Sequence, residues 1–404
     1  MKNARSLIGV GHDVVGKILR GLDNAGKDVT LADLENLADR QPLVEEFAQF
    51  LVSLRDRTFP FRPKRLKLAY SHKFNNIAIG NIVEMHLLRG RDEVVMRTSN
   101  GRILQCRIEP GKLEVIRDHG FETLPTVIAT APSGRYFAVG FSDGKVFLFN
   151  SGLDTPCGRK PSVVVKLHHD SVSALAISAK EFLISAGGER SEKISIISVS
   201  SLDREFENNR KQYLSQGDFG KINALAINPA TDEILVATSK GCFVFPHPES
   251  MYIENYRILP TKKIIGEDEG NNFTSIAVSP DGSLLVAGSN HGIGTYLFRL
   301  ENNDEAVASH ARLDVEHSFV DQLAFTPDGK FLVYINVVSD SIIIWDATKP
   351  GEIERLLERP KCSSFAISEK GDRLILAGSG EVFVFCDAPR RKKSSRSERA
   401  KSSD

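Results

Sequence analysis

Tryptophan is nearly absent: Trp345 is the only one in 404 residues. Cysteine is sparse as well. The five, Cys106, Cys157, Cys242, Cys362 and Cys386, are odd in number, widely spaced and contain no CxxC pair. That excludes a disulfide framework and a cysteine-based zinc array, and predicts free thiols in a reducing compartment. No apolar run approaches the roughly 18 residues needed to span a bilayer. The opening MKNARSLIGVGHDVVGKIL puts Asp13 and Lys17 where a secretion signal would be apolar. The chain therefore reads as soluble and intracellular, cytoplasmic or nuclear, with no membrane partner. The sequon at Asn272 then has no consequence.

Net charge is missing too, with 52 basic against 52 acidic residues. The balance conceals a gradient. From Arg390 to Asp404 seven Lys/Arg face two carboxylates, Glu398 and Asp404. The tail is thus basic by about +5 and residues 1–389 acidic by about −5. A domain-wide basic footprint for nucleic acid is excluded, and such contact could come only through the tail.

What is abundant is repetition. VDQLAFTPDGKFLVYINVVSDSIIIWDA, which contains the tryptophan near its end, has three apolar runs, a PDG turn after the first and an SDS turn before the third. The layout returns as TVIATAPSGRYFAVGFSDGKVFLFN, VSALAISAKEFLISAGGERSEKISIISV, INALAINPATDEILVATSKGCFVFPH, FTSIAVSPDGSLLVAGSNHGIGTYLFRL and CSSFAISEKGDRLILAGSGEVFVFCDA. Aligned on their turns, these place Ala129, Ala176, Ala226, Ala277, Ala324 and Ala366 at one position, at intervals of 47, 50, 51, 47 and 42 residues. A seventh copy from Ile82 places His86 there, 43 residues before Ala129. Each run is short, rich in β-branched or aromatic residues and closed by Gly, Asp, Asn or Pro, which specifies strands and turns rather than helices. The alanine reads as a packing position where first strands meet neighbouring sheets.

With these units on the page, the chain resembles the WD-repeat β-propeller family over about residues 63–388. In that family a unit of about 40–45 residues forms one four-stranded blade. The family's opening His is matched by His168 and by His119. Its first corner is matched by Ser279, Pro280, Asp281 and Gly282 and by Pro327, Asp328 and Gly329. Asp143 and Gly144 match the second corner, and Trp345-Asp346 the closing pair. The family's His, turn Asp and Trp form a hydrogen-bonded network within a blade. No unit here carries all three, so Phe147, Phe243 and Phe383 are expected to supply final-strand packing. The resemblance implies an all-β, seven-bladed propeller. Such a ring must close, and KRLKLAY, Lys64–Tyr70, is expected to add the outer strand that the last copy lacks.

Residues 1–60 predict a short helical segment. Val14, Ile18, Leu19 and Leu22 share a helical face behind Asp13, Thr30 caps LADLENLA, and Pro42 opens PLVEEFAQFLVSLRD. The stripe Leu43, Phe47, Phe50, Leu51 and Leu54 is meant for protein, either the propeller or a partner helix. The segment 389–404, with Arg390, Arg391, Lys392, Lys393 and Arg396, cannot bury a core and is expected to be a disordered basic tail. It is a solvated run, a nuclear-import-like cluster, a nucleic-acid contact or a phosphorylation switch at Ser394, Ser395 or Ser397.

Catalytic and cofactor patterns are missing. There is no HExxH, no GxSxG and no Cys/His array, and GVGHDVVG lacks both the dinucleotide spacing and a Walker lysine. His168-His169-Asp170 is the nearest approach to a ligand cluster, at a blade opening where the family carries a structural histidine. No catalytic residue, metal or cofactor is expected. The reading is a protein-interaction scaffold or adaptor subunit of a complex, with a nucleic-acid-associated subunit as the alternative and a propeller-fold enzyme third. Partner contacts are expected on loops, at Phe206 and Tyr213 in the insert between Ser201 and Lys221, and at Tyr252 and Tyr256 in the loop from Pro246.

Overall fold

The computed structural model describes residues 63, 66–74, 79–151, 161–187, 193–199, 214–215, 220–247, 257–258, 260–264, 272–289, 295–300, 310–313, 320–336, 341–347, 353–357 and 362–387. The expected N-terminal helices and the basic tail lie outside these residues. Within them the protein is all-β. Strand β1 (Leu66–Lys73) comes first, followed by an antiparallel sheet of β2 (Ile82–Leu88), β3 (Glu93–Thr98), β4 (Arg102–Glu109) and β5 (Lys112–Gly120). The next sheet is β6 (Pro125–Thr130), β7 (Tyr136–Phe141), β8 (Lys145–Asn150) and β9 (Val163–Lys166). After it come the three strands β10 (Val172–Ile177), β11 (Phe182–Gly187) and β12 (Ile194–Ser198).

Strands β13 (Leu214–Ser215) and β17 (Arg257–Ile258) form a short parallel pair. They bracket β14 (Ile222–Ile227), β15 (Ile234–Thr238) and β16 (Gly241–Phe245), whose sheet is completed by β18 (Lys262–Ile264). Two further meanders are β19 (Phe273–Val278), β20 (Leu284–Ser289), β21 (Thr295–Arg299) and β22 (His310–Leu313), then β23 (Val320–Phe325), β24 (Phe331–Asn336), β25 (Ser341–Asp346) and β26 (Ile353–Leu357). The last sheet combines β27 (Ser364–Ile367), β28 (Arg373–Gly378) and β29 (Glu381–Asp387) with β1 as its outer strand. The expected closure by the segment before the first repeat is therefore observed. The strand starts at Leu66 and runs on to Lys73, with a bulge between Leu68 and Tyr70.

First strands of successive sheets pack side by side, β2 on β6, β6 on β10, β10 on β14, β14 on β19 and β19 on β23, and β27 packs back on β2. Apolar clusters fill the spaces between sheets, so both faces of each sheet lie against protein. One joins Ile82, Met96 and Leu104 to Ile375 and Val384 from the other end of the chain. This two-sided burial explains why second strands read as continuous apolar runs such as Leu374–Ala377 rather than as alternations.

Turn chemistry sets the first corner. Two residues after the repeated alanine stands Ser178, Asn228, Ser279, Thr326 or Ser368, whose N–H closes the corner onto the second strand at 2.8–3.0 Å. In the SPDG and TPDG copies the hydroxyl also works. Ser279 Oγ donates to Asp281 Oδ1 at 2.5 Å and accepts from Leu284 N at 2.9 Å; Thr326 Oγ1 donates to Asp328 Oδ1 at 2.6 Å. The hydrogen bond from Ser279 leads the set that lowers the Asp281 carboxyl below its ordinary range. At the second corner Gly144 has φ 82°, and any Cβ there would fall on the carbonyl oxygen of His168.

Phe243 lies in the core and Phe147 and Phe383 pack against it, as expected of final-strand residues, while pairing register shows which residues share the place of the tryptophan. Trp345 faces Leu332, and the residues that occupy this register in other sheets are Cys106, Phe149, Ile197, Phe245, Phe298 and Phe385. All are buried. Phe147, Phe243 and Phe383 lie two residues earlier on the same faces, because a period of two cannot by itself distinguish adjacent same-face positions.

Candidate functional site

The first strands carry a polar device that the repeat alignment hides. In five sheets the pairing skips one residue near the strand's start, at Val83, Thr126, Ser173, Asn223 and Thr274. A bulged residue is released from the ladder and its side chain is re-aimed. Thr126 Oγ1 donates to Val172 O at 2.7 Å, Asn223 Nδ2 to Phe273 O at 2.7 Å and Thr274 Oγ1 to Val320 O at 3.1 Å. In the last sheet Ser363 Oγ donates to Ile82 O of the first. Each acceptor is the carbonyl that begins the next sheet's first strand.

The residue two before the repeated alanine also links sheets: Ser275 Oγ donates to Val320 O at 3.3 Å, and Gln322 and Glu84 hold the same position in two other sheets. Gln322 Oε1 accepts from Phe365 N at 2.8 Å, and its Nε2 donates to Phe365 O at 2.9 Å. Glu84 occupies the same repeat position and accepts from Ile128 N at 3.1 Å, Ile128 being the counterpart of Phe365. The carboxylate adds charge that the amide does not. Arg97 Nε donates to Glu84 Oε2 at 2.9 Å, and His86 Nε2 lies 3.0 Å from Oε1. Burial works to raise the Glu84 carboxyl, but hydrogen bonds and charge from His86 and Arg97 outweigh it and hold it below the ordinary carboxylate range. His86, where the other copies carry alanine, thus has a partner in the neighbouring Glu84.

His168 is also structural. Its ring is buried, with Nε2 2.9 Å from Ser185 Oγ. Burial pushes the imidazole down to about 4, so it is neutral at physiological pH. The other expected opening histidine, His119, does not share this place. It lies on β5, with ring centroids 5.2 Å from Phe149 and 6.2 Å from Phe121. Phe121 is the residue that precedes its first strand as His168 precedes β10. Among the described residues no group of three or more His, Cys, Asp or Glu could hold a metal ion.

Exposed large apolar side chains mark the outer strands: Leu68 on β1, Val115 on β5 and Val164 on β9, with Leu124 before β6. Sequence reasoning missed them because each belongs to a short run whose exposed face only the register reveals. The residues it did select, Leu43, Phe47, Phe50, Leu51, Leu54, Phe206, Tyr213, Tyr252, Tyr256, Arg390, Arg391, Lys392, Lys393 and Arg396, all lie outside the described residues.

Small antiparallel sheets joined first strand to first strand, a repeated Ser/Thr corner and a buried Trp345 followed by a half-buried Asp346 are consistent with the WD-repeat proteins. Residues 260–293 match the family model described as "WD domain, G-beta repeat". The match spans β18, β19 and β20, so the repeat takes the outer strand of one sheet with the first two of the next. Among curated proteins the chain is similar to Pre-mRNA-processing factor 19 of Schizosaccharomyces pombe, at 24% identity over 242 residues. The alignment covers 56% of this chain and 46% of that protein, so the chain spans about half the length of the relative it matches. Among the described residues no helix is long and apolar enough to cross a membrane.

Proposed function

We propose that the chain is a non-catalytic scaffold subunit of a multiprotein complex, with residues 63–388 forming a closed seven-bladed propeller flanked by a helical segment, 1–60, and a basic tail, 389–404. The observation that carries this reading is the return of the sheet succession to its start. β1 completes the sheet of β27–β29, and Ser363 bonds the first strand of the first sheet. A body tied in this way holds its turns and outer strands in fixed relation, which is what a platform for several partners requires. Glu84, bonded within its own sheet to His86 and Arg97, is engaged in joining that sheet to the next, which supports a binding role over a catalytic one.

Similarity to a pre-mRNA-processing factor supports placement in a nuclear complex that handles RNA. It also keeps a second reading open, in which residues 390–404 touch nucleic acid directly. Two deletions separate the contributions when the tagged chain is purified from its native source. Loss of stoichiometric protein partners on removing residues 1–60 assigns docking to the helical stripe Leu43–Leu54, and an unchanged set assigns it to the propeller, including the loops with Phe206, Tyr213, Tyr252 and Tyr256. Salt-sensitive RNA or DNA binding that disappears without residues 390–404 assigns that contact to the tail. A chain that purifies alone and turns over a substrate refutes the scaffold reading.

A further inference from the structure

The sheet of β6–β9 ends on an open edge, since among the described residues β9 pairs only with β8. Register places two cross-strand pairs side by side on one face of these strands, Lys145 opposite Lys166 and Phe147 opposite Val164. Val164 and Lys166 are exposed, while Lys145 and Phe147 are half-buried. The pairs differ in how they are satisfied. Phe147 is backed by Phe141 and Phe121, with centroids at 4.4 and 5.7 Å, yet the valine beside it is left 47% uncovered.

Directly opposed like charges destabilise a sheet. Asp143 lies 2.6 Å from Lys145 and offsets one charge, but among the described residues no carboxylate pairs with Lys166. A lone lysine is enough to guard an edge against unwanted pairing. A lysine pair next to an uncovered valine does more than guarding needs, and it defines a pattern for whatever lies alongside.

We propose that the free edge of β9 docks an extended acidic-x-apolar segment of a partner protein, which adds a further strand to this sheet. Side chains alternate along a strand, so one register sets the segment's carboxylate beside Lys166 and, two residues away, its apolar side chain beside Val164. The row from Lys145 through Lys166 then ends in a negative charge, and the row from Phe147 through Val164 gains an apolar cover. Backbone pairing supplies general affinity, and these two rows supply selectivity. The inference rests on the scaffold reading for its protein partner and adds where and what kind of segment binds.

The probe is a fluorescein-labelled decapeptide, threonine-rich for strand formation, with Glu-Thr-Ile at its centre, and a twin carrying Lys-Thr-Ile. Anisotropy titration of the full chain is expected to give the Glu peptide about tenfold tighter binding than the Lys peptide. In Lys166→Glu the order of the two peptides is expected to invert. That variant places Glu opposite Lys145 and should melt no lower than the parent, so a folding defect cannot mimic the result. Equal binding of the two peptides to the parent, binding of neither, or an unchanged order in Lys166→Glu overturns the proposal. If Lys166→Glu retains every stoichiometric native partner in such a case, the scaffold reading stands and only the edge assignment falls.

Discussion

Glu84 offers a quantitative test of how the sheets are joined, because the molecule contains its own neutral control. Gln322 holds the equivalent position and accepts the same backbone N–H with an amide oxygen. Glu84→Ala removes that acceptor and leaves Arg97, whose side chain is 21% exposed, without its carboxylate. Stranding a partly buried charge and an N–H costs about 3 kcal/mol. Glu84→Gln keeps the link to Ile128 and loses only charge, for about 1–2 kcal/mol. Glu84→Gln combined with Arg97→Met removes the stranded charge and should return to within about 1 kcal/mol of the parent. Urea unfolding followed by far-UV circular dichroism gives these differences directly. If Glu84→Gln costs as much as Glu84→Ala, or the double variant as much as the sum of its parts, the equivalence with Gln322 is wrong.

Other consequences follow from single residues. His168 titrates near 6.5 when unfolded and at about 4 when folded, so as pH falls the unfolded chain takes up the proton first. Its contribution is whole above pH 6.5 and is lost progressively down to pH 4, up to about 3 kcal/mol; a parallel series with His168→Phe/Ser185→Ala should lack that slope. The depressed Glu84 carboxyl acts lower, its stabilisation being present above the ordinary carboxylate range and lost as pH falls through its folded value. Trp345→Phe should cost no more than about 1.5 kcal/mol in chemical unfolding, because Phe149, Phe245, Phe298 and Phe385 already fill that register, whereas Trp345→Ala should cost about 3–5 kcal/mol.

Much of the fold is written locally. Turn residues such as Pro280-Asp281-Gly282 and the alanines from Ala129 to Ala366 mark the units because corner geometry and first-strand packing constrain single positions. The missing outer strand could be inferred at Lys64–Tyr70 from the need to pair an edge. Relations between sheets are not local. That Thr126 reaches Val172 O, or that Glu84 and Gln322 do one job, depends on a bulge that a turn-based alignment cannot register. Phe149 and Phe147 look alike in a strand of period two, and only pairing with Phe137 or Gly140's neighbour Val139 separates them. The same blindness concealed Lys166 and Val164, which look like an ordinary VVVK run until β8 is laid beside them.

Pairing of the first described strand, β1, with the last, β29, in one sheet is the central claim, and a cross-link tests it most directly. Lys67 lies opposite Cys386 in the β1–β29 ladder. Facing residues of antiparallel strands have Cα atoms within disulfide range. Mild oxidation of Lys67→Cys should therefore give an intramolecular disulfide between the introduced thiol and Cys386, found by peptide mass mapping and absent from Lys67→Ser. Failure to form that bond, or its formation only between two molecules, would contradict the closed succession of sheets on which the account rests.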